Sequence, residues 1–98
     1  MLKAEHNARV HLVASIVVLC LALFFEVSRQ DWVFLIIAIS VVWMAEAFNT
    51  SIETLSDVVE PNYSPIAKRI KDVSAAAVMF SAIGALLVGV LVLSPYIW

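Results

Sequence analysis

Three apolar runs constrain this chain more than any other feature: Val10 to Phe25, Trp32 to Phe48 and Val73 to Leu93. Roughly 20 apolar residues in a helix cross a hydrocarbon core of about 30 Å, and about 17 suffice, so each run reads as a membrane span. The composition agrees, with 63% of the 98 residues hydrophobic, 14% charged and a mean hydropathy of +1.00. The expected fold class is all-α integral membrane, with three transmembrane helices per subunit. So small a bundle has little interior in which to hide polar side chains, so oligomerisation is expected. A net charge of only −2 argues against nucleic acid as a partner. Leu21, Leu23, Phe24 and Phe25 supply no small-residue cleavage site, so the first run is expected to be retained rather than removed as a signal peptide. Cys20, apolar on both sides, reads as packing.

Basic residues orient the bundle. Lys3 and Arg9 precede the first span and Lys68, Arg69 and Lys71 lie between the second and third, whereas the first loop, Glu26 to Asp31, carries Arg29 alone. The amino terminus and second loop are therefore expected to be cytoplasmic, with Tyr96 and Trp98 anchoring the opposite interface. Glu5 and Arg9 are spaced as a surface ion pair, and His11 at the edge of the first span reads as an interfacial or helix–helix hydrogen-bonding group. Ala77, Ser81, Ala85 and Gly89 recur every four residues and read as a packing face for another helix.

The polar residues of the second helix carry the chemistry. Glu46, Asn49, Glu53 and Asp57 are spaced three, four and four apart, which places them within an arc of roughly 80°. Counted from Trp32, Glu46 lies about 21 Å along the helix, within the hydrocarbon, while Asp57 at about 37 Å is beyond it. One stripe thus runs from lipid into water. Pro61 ends the helix, Asn62-Tyr63 turns the chain, and Ser64-Pro65 reads as an N-cap with proline at the first helical position. Lys68, Lys71 and Asp72 then share a face just before the third span.

Asn49 by itself has an ordinary structural reading as an interhelical hydrogen-bonding group. A carboxylate at the depth of Glu46 costs at least ~2.5 kcal/mol to insert when charged and is functional by default. Two jobs fit it: proton relay in a small oligomeric proton-coupled transporter, or general base toward a hydroxyl. Glu53 and Asp57 stand where Mg²⁺ could bind from water, and Lys71 lies in the same layer to neutralise phosphate charge. A base at lipid depth below such a layer describes phosphoryl transfer from a nucleotide to a lipid alcohol. The chain contains no GxxxxGK[ST] loop, Gly-rich kinase loop or HRD motif.

The segment E-A-F-N-T-S-I-E-T-L-S-D, Glu46 to Asp57, followed by A-K-R-I-K-D, Ala67 to Asp72, resembles the prokaryotic diacylglycerol kinase family, which includes undecaprenol kinases. The resemblance covers the chain from Glu5 onward. It implies a single membrane-embedded kinase domain over residues 1–98, a homotrimer with sites at subunit boundaries, ATP and Mg²⁺, and a bacterial inner-membrane location. By the same resemblance Glu46 would be the base with Asn49 beside it, Glu5 and Glu53 would hold metal, and Lys71, Asp72, Asp57 and Tyr63 would meet the nucleotide. E-H-N-A-R-V-H, Glu5 to His11, is similar to the undecaprenol kinase branch, where the other branch has an acidic residue in place of the histidine. The implied substrate is accordingly undecaprenol or diacylglycerol, with His11 pointing toward a polyprenol. Relatives generally carry an amphipathic surface helix before the position of Glu5, where only four residues stand here, so the resemblance implies either a displaced start or a surface helix missing or truncated, and with it part of the ATP clamp. The position of Ser64 is often histidine in relatives.

Overall fold

The computed structural model describes residues 2–97, with side chains from residue 7 onward. Its order is α1 (Leu2–Phe24), α2 (Arg29–Val59) and α3 (Pro65–Ile97), and the described residues contain no strand. All three helices are long and apolar enough to cross a membrane. At 1.5 Å per residue, α2 with 31 residues is about 46 Å long and α3 with 33 about 50 Å, close to the 51 Å longest dimension. Both exceed a hydrocarbon core of about 30 Å. The α2–α3 hairpin therefore reaches beyond the bilayer. These two helices pack along their length, and α1 leans more loosely on α2.

Short turns make the helices antiparallel neighbours. At the end of α1, Glu26 adopts φ 51, its N–H bonds the Leu23 carbonyl at 3.3 Å, and Val27 N–H reaches back to Ala22 at 3.2 Å. This pair of bonds is a Schellman cap, and its usual hydrophobic contact is present because Ala22 and Val27 are both buried in the same cluster. The first loop is shorter than expected from sequence. Helix α2 starts at Arg29 rather than Trp32, because Ser28 is its N-cap and accepts from the Asp31 N–H at 3.1 Å. The second turn matches expectation: Ser64 Oγ accepts from Ala67 N–H at 3.3 Å and Pro65 opens α3.

Helix α3 also runs further than expected, through Ser94-Pro95 to Ile97. Pro95 has no N–H for the Leu91 carbonyl, and Ser94 Oγ donates to that carbonyl instead at 3.4 Å. Tyr96 does more than sit at an interface. Its hydroxyl donates to Asp31 at 2.7 Å and accepts from the Ser28 N–H at 3.2 Å, tying the end of α3 to the start of α2. Trp98, the other expected anchor, lies outside the described residues.

The core between the helices is thin: Ala22, Val27, Leu35, Val92 and Leu93 form one buried cluster near that turn. Large apolar side chains elsewhere face outward, Phe80 and Leu91 each 72% exposed, which suits a lipid solvent. Cys20 is exposed rather than packed within the chain. The small-residue stripe on α3 does not bring two backbones of this chain together, since Ala77 is exposed and no atom lies within 4 Å of where a Cβ on Gly89 would stand. Helix α3 meets its neighbours mainly through Ser74, Val78, Val92 and Leu93.

Candidate active site

The buried face of α2 reads Leu35, Val42, Glu46, Asn49. It begins apolar and turns polar as it leaves the hydrocarbon, as the periodicity predicts. Glu46 and Asn49 are each 5% exposed, Glu53 is half-buried and Asp57 exposed. The helix twist alone places these four on one face. What each touches depends on the other two helices.

Asn49 is held from both sides. Ser74 of α3, buried beside it, donates from Oγ to Asn49 Oδ1 at 2.6 Å, and Asn49 Nδ2 donates to Glu53 Oε1 at 3.4 Å. This fixes which way the amide points. Ser74 was not recognisable as a site residue from sequence: a serine among alanines carries no signal until α3 is seen to bring it level with Asn49.

Glu46 has no such support. Among the described residues neither of its buried oxygens has a hydrogen-bond partner. The nearest charge-capable group is His11 on α1, whose Nε2 lies 3.5 Å from Glu46 Oε2. The His11 ring packs edge-on against Trp43, with centroids 6.3 Å apart. Trp43 in turn donates from Nε1 to Ser15 Oγ at 3.2 Å, and Ser15 donates to the His11 carbonyl at 2.7 Å. His11 thus faces Glu46 across the α1–α2 contact, but the helix–helix hydrogen bond expected of it is not formed at this separation.

At the projecting end of the α2–α3 hairpin an open cleft of about 520 Å³ is lined by Glu53, Asp57, Tyr63, Lys68, Lys71 and Asp72 among others. All the stripe and loop residues expected to meet a nucleotide thus border one space. Lys71 of α3 pairs with Asp57 of α2, and Lys68 pairs with Asp72 on its own helix at 2.8 Å. Asp57, Lys68 and Asp72 are exposed and Lys71 half-exposed, so each pair contributes at most ~1 kcal/mol and its ammonium can be given up to a phosphate at small cost. Tyr63, 79% exposed, presents its ring at the rim. The Glu5 side chain, expected to hold metal, lies outside the described residues, as does its spacing partner role with Arg9.

Among the described residues no three His, Cys, Asp or Glu side chains converge as a metal cage. Carboxylate oxygens are nevertheless the donors Mg²⁺ prefers, and this ion is commonly held by one or two carboxylates together with substrate phosphates. Glu53, one turn from Asp57 on the same face and bordering the cleft, fits that pattern. The cleft also carries more carboxylates (Glu53, Asp57, Glu60, Asp72) than ammonium groups (Lys68, Lys71), a balance that opposes a bare polyphosphate and favours one accompanied by a cation.

The chain is 30% identical over 93 residues to the undecaprenol kinase of Bacillus subtilis (strain 168), an alignment covering 95% of this chain and 76% of that protein. No solved structure matches the chain significantly. The family model for prokaryotic diacylglycerol kinase matches residues 1–93, and the chain accordingly belongs to that family of membrane lipid kinases.

Proposed function

We propose that the chain transfers the γ-phosphoryl group of ATP to the primary hydroxyl of a membrane lipid alcohol, at the cytoplasmic face of a bacterial inner membrane. The observation that carries this reading is the placement of Glu46. A buried carboxylate with no hydrogen-bond partner among the described residues sits at lipid depth, on the same helix face that opens seven residues later into a cleft bordered by Lys71. Seven residues rise about 10 Å, so a hydroxyl reaching Glu46 from the lipid and a phosphate chain entering from water approach one another along this stripe.

In this reading Glu46 takes the proton of the lipid hydroxyl as the hydroxyl oxygen attacks the γ-phosphorus and the bond from that phosphorus to the bridging oxygen breaks, releasing ADP, and Asn49, fixed by Ser74, orients the reacting groups beside it. Lys71 stabilises charge on the transferring phosphoryl group, Asp72 and Asp57 meet the nucleotide beside it, and Tyr63 offers a face for the nucleobase. Glu53, joined by Glu5, would hold Mg²⁺, which when bound neutralises phosphate charge. A single domain over residues 1–98 carrying these groups, assembled as a homotrimer, would cover the apolar faces that one copy leaves open. The lipid is undecaprenol or diacylglycerol. His11 and the relative named undecaprenol kinase favour the polyprenol.

The test uses the purified chain in mixed micelles with Mg²⁺ and γ-labelled ATP, offering undecaprenol and diacylglycerol in parallel. Label is expected in the lipid phase, more with undecaprenol, and Glu46→Gln is expected to lower turnover by about 10²–10⁴-fold while the assembly keeps its size. Turnover retained by Glu46→Gln would remove Glu46 from the base role, and label in neither lipid would overturn the kinase reading.

A further inference from the structure

We propose that His11 is the positioning residue for Glu46: its imidazole N–H turns one carboxylate oxygen toward α1 and leaves the other free for the lipid hydroxyl. The inference rests on the kinase reading above and deepens it by adding a residue of α1 to a site otherwise built from α2 and α3.

A carboxylate 5% exposed at lipid depth needs a donor or an opposite charge if it is to act as a base. Asn49, one turn away, spends one of its two amide hydrogens on Glu53 and its carbonyl oxygen on Ser74, and makes no hydrogen bond to Glu46. The Trp43 N–H is committed to Ser15, and the Ser15 hydroxyl to the His11 carbonyl. His11 Nε2 remains, 3.5 Å from Oε2, a separation that a small side-chain rotation closes to hydrogen-bonding distance.

The imidazole is itself held. Trp43 packs edge-on against its ring, and the Trp43–Ser15–His11 chain of hydrogen bonds locks the backbone that carries it to the indole. A group whose orientation is set by packing and outer hydrogen bonds can hold a reacting side chain with little loss of entropy at each turnover. Ser15 and Trp43 therefore act one step further out, on His11 rather than on Glu46.

The experiment compares His11→Gln, which keeps an N–H donor of similar reach, with His11→Leu, which keeps volume without a donor. Each is assayed in micelles with undecaprenol and with diacylglycerol, alone and combined with Glu46→Gln, and assembly size is followed as a folding control. His11→Leu is expected to lower kcat about 10–100-fold with KM for ATP unchanged, His11→Gln to recover most of that loss, and the leucine to cost nothing further beside Glu46→Gln. If His11→Leu does not assemble, His11→Asn takes its place, since its amide is too short to reach Oε2 and kcat should fall as far. A wild-type kcat in the donorless variant, equal losses in the glutamine and leucine variants, or a further loss beside Glu46→Gln would each overturn the positioning role while leaving the kinase reading intact. An unsubstituted chain that labels neither lipid overturns both.

Discussion

Replacing Ser74 by alanine tests whether the polar stripe is organised from outside α2. The Ser74 hydroxyl donates to Asn49 Oδ1 at 2.6 Å, and the two residues are 7% and 5% exposed. Removing the hydroxyl leaves a buried carbonyl oxygen without its donor, a loss of about 1–3 kcal/mol in a water-soluble protein. Two effects reduce this. Alanine is the better helix former by a few tenths of a kcal/mol, and cross-helix hydrogen bonds inside bilayers average only ~0.6 kcal/mol, with an upper limit near ~1.7. The short, fully enclosed geometry belongs toward that upper limit, so a coupling energy of about 1 kcal/mol between Ser74→Ala and Asn49→Ala is expected in a double-mutant cycle, read by unfolding in mixed micelles. Freed from Ser74, the Asn49 amide also loses its fixed direction toward Glu53, and turnover should fall about 10-fold. A coupling energy under ~0.3 kcal/mol, or unchanged turnover in Ser74→Ala, would refute the argument that α3 orients this part of the stripe.

Two further predictions concern the opposite end of the bundle. Tyr96→Phe removes a hydroxyl that serves both Asp31 and the Ser28 N–H, and should destabilise the chain by about 1–2 kcal/mol in the same unfolding assay without altering KM for ATP; a neutral result would mean the clasp is not made in the membrane. Glu26→Gly relieves a left-handed backbone at φ 51, and after the larger unfolded-state entropy of glycine is subtracted it should stabilise by up to about 1 kcal/mol; a loss of stability instead would show that the Glu26 side chain contributes more than its backbone costs.

Much of this protein is legible in its sequence, because the relevant rules act within one helix or one turn. Hydrophobic run length sets three spans whatever their neighbours do, and 3.6 residues per turn place Glu46, Asn49, Glu53 and Asp57 on one face without knowledge of what that face meets. Ser64-Pro65 started a helix for equally local reasons. The S-x-x-D pattern at Ser28 and Asp31 was the same kind of signal and marks the true start of α2, three residues earlier than the indole of Trp32 suggests. Helix register between segments was not legible. That His11 stands level with Glu46, Ser74 with Asn49, Lys71 with Asp57 and Tyr96 with Asp31 follows from how far each helix slides along the next, which is decided by turn geometry and by the cluster of Ala22, Val27, Leu35, Val92 and Leu93. Sequence alone determined that a carboxylate would be carried into the bilayer on a polar stripe. Only the packing of three helices determined which histidine it would face, because contacts across helices depend on relative translation, and no spacing along one chain encodes it.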